Sequence, residues 1–248
     1  MPNLPEHIHL AHQAALRLRD TRLNEHMGSY LLGATAPDIR IITKRPREEY
    51  HFSPLEFEAV GAGAKGLFAA HPGLRALPKE DGITRAFVAG YLTHLVADEV
   101  WITQMYRPYF ANRKLFPDET QGKVMDRALQ LELDRQNREA IATAAPALSW
   151  PVDGVEIGFI GSDLLERWRV WVVGFMQHAY EWERLRNQAR RIAAGDDGHA
   201  AHRLADDFIR GLPESLARLH EAVPPKEWAT YQERTVRSLV ETAGEYLG

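Results

Sequence analysis

At 248 residues the chain is long enough to bury a substantial core, and with 45% apolar and 26% charged residues it has the composition of an ordinary globular protein. Its net charge of −4 and pI of about 6.3 show no basic bias toward nucleic acid or an anionic membrane. It has no cysteine, which excludes disulfides and thiolate ligands, so any metal must be held by His, Asp, Glu, backbone or water.

The first residues, Met1-Pro2-Asn3-Leu4-Pro5-Glu6-His7, show no cationic region leading into an apolar stretch, and no apolar run reaches the roughly 18 residues of a membrane span. A cytoplasmic protein is the expectation. Pro5 leads into a first helix over about 6–22, with Ile8, Ala11, Ala15 and Leu18 as its inner stripe. His26–Leu32 then runs into Gly33-Ala-Thr-Ala-Pro37-Asp38, where Gly33 and Pro37 break regular structure and set Asp38 in a turn. Residues 39–52 read as an irregular crossing with a basic turn, Lys44–Arg47. Ser53-Pro54-Leu55-Glu56 predicts a capped helix start running to about Ala70, where His71-Pro72-Gly73 stops it.

Ile83–Gln104 reads as a helix apolar nearly all round, which belongs in a core. A loop through Pro108 and Pro117 follows, then a helix over about 119–144 capped by Asp118 with Gln121. After a loop over 145–160, Ser162 opens a long aromatic-rich helix to about Ala194. Two further helices cover about 199–221 and 225–246. No alternating β-branched run appears, so the expected fold is an all-α, multi-helix bundle of about seven members, one domain over residues 1–248.

The buried helix carries His94 and Asp98 four residues apart, on one face. A buried carboxylate costs several kcal/mol or more unless it is paired or bound to a cation. His94 donating a hydrogen bond to Asp98 would satisfy it, and so would a divalent ion, which needs further ligands. His7 lies at the start of the first helix, with His9 and His12 pointing about 200° and about 140° away from it on a 3.6-residue helix. Either His7 or His9 can face a shared site. Asp38 in its turn can bond its own backbone or reach the interior. His51 stands between Tyr50 and Phe52, as a core residue or a ligand. His199-Ala-Ala-His202-Arg-Leu-Ala-Asp206 repeats the His-x-x-x-Asp spacing in polar surroundings and reads as a solvated face.

Taken together, His7, then Gly33-Ala-Thr-Ala-Pro37-Asp38, His51-Phe52 and Gly90-Tyr-Leu-Thr-His94-Leu-Val-Ala-Asp98 resemble the zinc-dependent phospholipase C family of bacteria, over roughly residues 5–105. The resemblance implies an all-α fold with zinc held by His7, Asp38, His51, His94 and Asp98. It also implies hydrolysis of a small-molecule or lipid phosphoester, with Asp38 as the carboxylate that touches metal and orients the attacking water. The chain departs from the family pattern in three places. It starts with Met1 where a processed tryptophan supplies its amino group, Gln104 stands where a further His is expected, and Ala128 stands four residues before Glu132 in place of a His. Asp126, Glu132 and Asp134 are the nearby carboxylates that substitute. One or two ions are therefore expected. The alternatives are a non-catalytic helical metal-binding or scaffold protein, and a single-strand nuclease of the same fold, which the acidic net charge disfavours.

Overall fold

The structure is a computed structural model that describes residues 1–151 and 153–248. Among the described residues every regular element is helical, as the all-α expectation requires, but the helices are more numerous and shorter than the sequence suggests.

Helix α1 (Leu4–Leu18) has Pro5 in its first turn, where the missing N–H costs nothing, and stops at Arg19 in the left-handed conformation. The helix predicted to run to residue 22 is thus broken. Asp20 accepts a hydrogen bond from Arg22 N and restarts the chain as α2 (Thr21–Glu25). Helix α3 (Met27–Gly33) leads into a 3₁₀ turn, Ala36–Ile39, that carries Asp38. The crossing that follows contains two single-turn helices, α4 (Arg40–Thr43) and α5 (Glu48–His51).

The helix start predicted at Ser53 does not form. The Ser53 hydroxyl bonds the Pro54 carbonyl instead of a helix N–H. Helix α6 (Ala62–Ala70) begins only after Gly61, at φ 104. The cap comes from elsewhere in the chain: the buried Glu99 carboxylate accepts from Gly61 N and from Gly63 N, the latter at 2.6 Å. A carboxylate at a helix N-terminus is favoured by the helix dipole as well as by its hydrogen bonds. A 3₁₀ turn, Pro72–Ala76, follows.

Helix α7 (Gly82–Trp101), capped by Asp81 on Thr84 N, is buried on all sides, as the apolar circumference of its sequence demands. It packs against α1, α3, α6 and the C-terminal helix. Where a loop is expected after it, the chain continues as a π-helical segment, Ile102–Phe110, with Pro108 inside. The wider turn accommodates a proline ring that would strike the preceding turn of an α-helix. Asp118 caps α8 (Glu119–Gln136) on Gln121 N at 3.0 Å, as the sequence indicates. That helix ends at Asn137, before α9 (Arg138–Ala144) and a 3₁₀ turn, Ala145–Ser149.

The long helix expected over 162–194 is two helices, α10 (Ser162–Met176) and α11 (Arg184–Ala193). Leu165, Trp168 and Val172 pack into one apolar cluster with α3 and the N-terminal half of α7. Leu185 and Ala189 pack into another, with α8 and the C-terminal half of α7. A straight helix cannot serve both, so the chain turns between them. The span 199–221 is likewise divided, into α12 (Ala200–Arg210) and α13 (Glu214–Ala222), with Gly211 and Pro213 between them, before α14 (Pro225–Leu247).

Candidate metal centre

The site is assembled on α7 by an unusually close helix crossing. A Cβ on Gly90 would stand 1.8 Å from the Tyr30 carbonyl oxygen, and one on Gly33 would stand 2.0 Å from the Phe87 oxygen. Only glycine permits that approach of α3 to α7. It brings the carbonyl of Ala34, just past the end of α3, to 2.9 Å from His94 Nδ1. A carbonyl can only accept, so His94 carries its proton on Nδ1 and presents a bare Nε2 to the interior.

His51 is set in the same way. Its Nδ1 lies 3.3 Å from the Arg47 carbonyl, one turn back on α5. The Tyr91 hydroxyl of α7 donates to the Tyr50 carbonyl and clamps that short helix in place. The two bare nitrogens, His51 Nε2 and His94 Nε2, face each other at 3.3 Å. Asp98 Oδ2 lies 3.2 Å from the first and 3.8 Å from the second. Two lone pairs and a carboxylate oxygen in a buried triangle repel one another unless a cation lies among them.

His7 closes the cluster from α1. It stacks on the His94 ring, with centroids 3.8 Å apart and planes at 10°, and its Nε2 is 3.3 Å from Asp98 Oδ1. That contact lacks hydrogen-bond geometry: both His7 nitrogens and Asp98 Oδ1 are buried without a partner. Asp38 is half-buried, and its carboxylate groups with the nitrogens of His51 and His94, all within 4.8 Å of one another, as do His7, His94 and Asp98.

All four of His7, His51, His94 and Asp98 are at most 2% exposed. Burial, and then the neighbouring His7, push His94 well below its ordinary value and keep it neutral. Asp98 is buried as well, but the Arg47 guanidinium 3.1 Å from its Oδ2 pairs with the ionised form.

The donor set fits a zinc ion. Ligands at 2.0–2.1 Å in a tetrahedron stand about 3.3 Å from one another, and the His51–His94–Asp98 triangle measures 3.2, 3.3 and 3.8 Å. The orphaned His7 and Asp98 atoms lie beside it.

All five residues predicted from the sequence are therefore brought together, and His7 rather than His9 faces the cluster. The other carboxylates are not part of it. Asp126 accepts from Trp101 Nε1 and Gln130 Nε2, both at 2.8 Å. Asp134 accepts from Asn3 Nδ2 at 2.9 Å. Glu132 takes the Gln136 amide on the outer side of α8. Gln104 lies in the π-helical segment beyond the end of α7. His199 caps α12 through Ala201 N, and Asp206 pairs with Arg186 at 2.7 Å, so that repeat of the spacing is a solvated face.

One participant escapes the sequence reading. Arg47 belongs to the basic turn that looks exposed, but its side chain is only 10% exposed and donates to Asp98 Oδ2 at 3.1 Å and to the Ser53 carbonyl at 3.0 Å. Its position four residues before His51, across one helical turn, was the available signal.

A search of curated proteins and of solved structures finds no match to the chain. Residues 6–101, which supply all five candidate donors, match the family model described as zinc dependent phospholipase C, and this match supports that family for the chain.

Proposed function

We propose that the chain is a metal-dependent hydrolase of phosphoester bonds of the phospholipase C type, working at His7, Asp38, His51, His94 and Asp98. The observation that carries this reading is the facing pair of bare imidazole nitrogens beside Asp98, inside the segment that matches a zinc-dependent family. The two donor groupings share His94, whose free Nε2 has a single lone pair. One ion is therefore the complement we favour, on His51, His94 and Asp98 with His7 or Asp38 as the further donor.

Zinc at that position supplies Lewis acidity toward a phosphoryl oxygen and makes water acidic near neutral pH. The chain's own groups do the remaining work. His94 is held neutral with its nitrogen aimed inward, and Asp98 is held ionised and braced from outside by Arg47. Asp38 both groups with the imidazoles and lines an open cavity, which supports assigning it to orient the attacking water and accept its proton.

The test is to replace His94 and Asp98 singly by alanine and measure bound zinc and phosphodiesterase activity. Both are expected to be lost in each variant. Zinc retained at the wild-type level would show that the site lies elsewhere.

The deep burial of the four donors favours a second reading, a helical binding or scaffold protein with a structural metal. Tightly held metal together with inactivity on a panel of phosphodiesters and phospholipids, assayed with zinc, manganese and iron, would decide for it.

A further inference from the structure

Beside the cluster lies a cavity of about 420 Å³, a size that suits a small-molecule group. Among the described residues Asp38 is the one carboxylate in its lining. Against it stand five cations, Arg40, Lys123, Arg127, Arg184 and Arg191, brought from α4, α8 and α11. Lys123 is answered by Glu119 at 2.6 Å, and Arg127 by the Gln130 side chain at 2.8 Å. Among the described residues, Arg40, Arg184 and Arg191 pair with no carboxylate.

Arg40 Nε is buried without a hydrogen-bond partner. Arg184 lies over the Phe175 ring at 4.0 Å, which fixes the plane of its guanidinium. The covered part of Arg191 is desolvated, which with the nearness of Arg127 and then Arg40 lowers it, while the residue as a whole stays exposed. In a chain of net charge −4, unanswered guanidiniums gathered around one cavity call for an anion.

We propose that this cavity is an anion site that receives the substrate's headgroup and selects headgroups with a second phosphate, or a comparable dianion, beyond the scissile phosphoester. The assignment of the ligand as substrate rests on the hydrolase reading above. Asp38 belongs to both places, so a phosphoester at the imidazoles directs the headgroup it retains, not its leaving alcohol, among the arginines. Guanidinium forks match phosphate oxygens two at a time. A quaternary ammonium headgroup meets like charges there, and among the described residues Phe175 is the only aromatic side chain in the lining, so it finds no cage.

Titration calorimetry with glucose 1,6-bisphosphate and with phosphocholine tests this on the wild type, Arg191→Gln and Arg40→Gln, with zinc content and thermal unfolding measured on the same samples. The bisphosphate is expected to bind at least about tenfold more tightly than phosphocholine, and each substitution to weaken the bisphosphate alone by roughly tenfold, the loss of one charge-assisted contact. Arg191 is exposed, so its replacement leaves the fold intact and the test does not depend on Arg40→Gln folding. Equal binding of the two probes, or bisphosphate binding untouched by both substitutions, overturns the proposal. Phosphodiester hydrolysis with bound zinc but without bisphosphate selectivity removes the anion site and leaves the hydrolase. Bisphosphate bound through these arginines by a chain that holds no zinc removes the hydrolase and leaves the anion site.

Discussion

Glu6, one residue before His7, shows how tightly the surroundings of the cluster are coupled to protonation. Its carboxylate is buried and accepts Gln232 Nε2 of α14 and Asn137 Nδ2, each at 2.9 Å. Burial still dominates those hydrogen bonds and raises it from the usual 4.5 to about 7. Between those two values the folded chain keeps a proton that the unfolded chain has released. Its contribution to stability is therefore complete at low pH, falls as the pH rises through that window, and levels off above it. Asp134, raised well above its ordinary value first by burial, adds a decline of the same sign. Glu6→Gln is expected to flatten the fall in denaturant midpoint between about pH 4.5 and 7. An unchanged slope in the variant would mean that this carboxyl is not the titrating group. At this scale the sequence was informative where a polar side chain had to enter an apolar helix, as with His94 and Asp98. His7, Asp38 and His51 became legible only as an ordered set. Arg47 did not, because neither composition nor spacing distinguishes an arginine that folds inward from a solvated one.

Among the elements, the α3–α7 crossing decides how far apart the donors stand. Adding a methyl at Gly90 would force the Tyr30 carbonyl, a backbone atom, to move, and His94 hangs from the neighbouring Ala34 carbonyl. Gly90→Ala is expected to destabilise the fold by at least about 1–3 kcal/mol, as overpacking does, and to reduce bound zinc. Gly174 in α10 has open space around its Cβ position, so Gly174→Ala should instead stabilise by about 0.5–1 kcal/mol. Thermal unfolding of the two variants checks both signs, and a mild effect at Gly90 would show that the helices can separate without cost. The long central helix was legible from its apolar circumference, and the α8 cap from Asp118 and Gln121. The breaks at residues 19, 137 and 177–183, and the late start of α6, were not. They depend on which apolar cluster each segment joins and on Glu99, a cap supplied from far along the chain.

On the scale of the whole molecule, the candidate donors come from α1, the 3₁₀ turn after α3, α5 and α7, segments far apart in the chain. An ion there ties them together, so its binding free energy adds to folding. The burial of His7, His51, His94 and Asp98 then bears on time as well as affinity. On the structural-metal reading, in which no substrate enters, an ion among these residues leaves only when a covering segment opens, and α5 is a single turn held through Tyr91 and Arg47. Loss of zinc to an excess of chelator should therefore approach a ceiling rate that more chelator does not raise, set by that local opening. A loss rate that keeps climbing with chelator concentration would mean the cluster is open to direct attack. With such a ceiling, the history of a sample, more than the zinc in its buffer, determines how much of the protein is loaded when it is assayed.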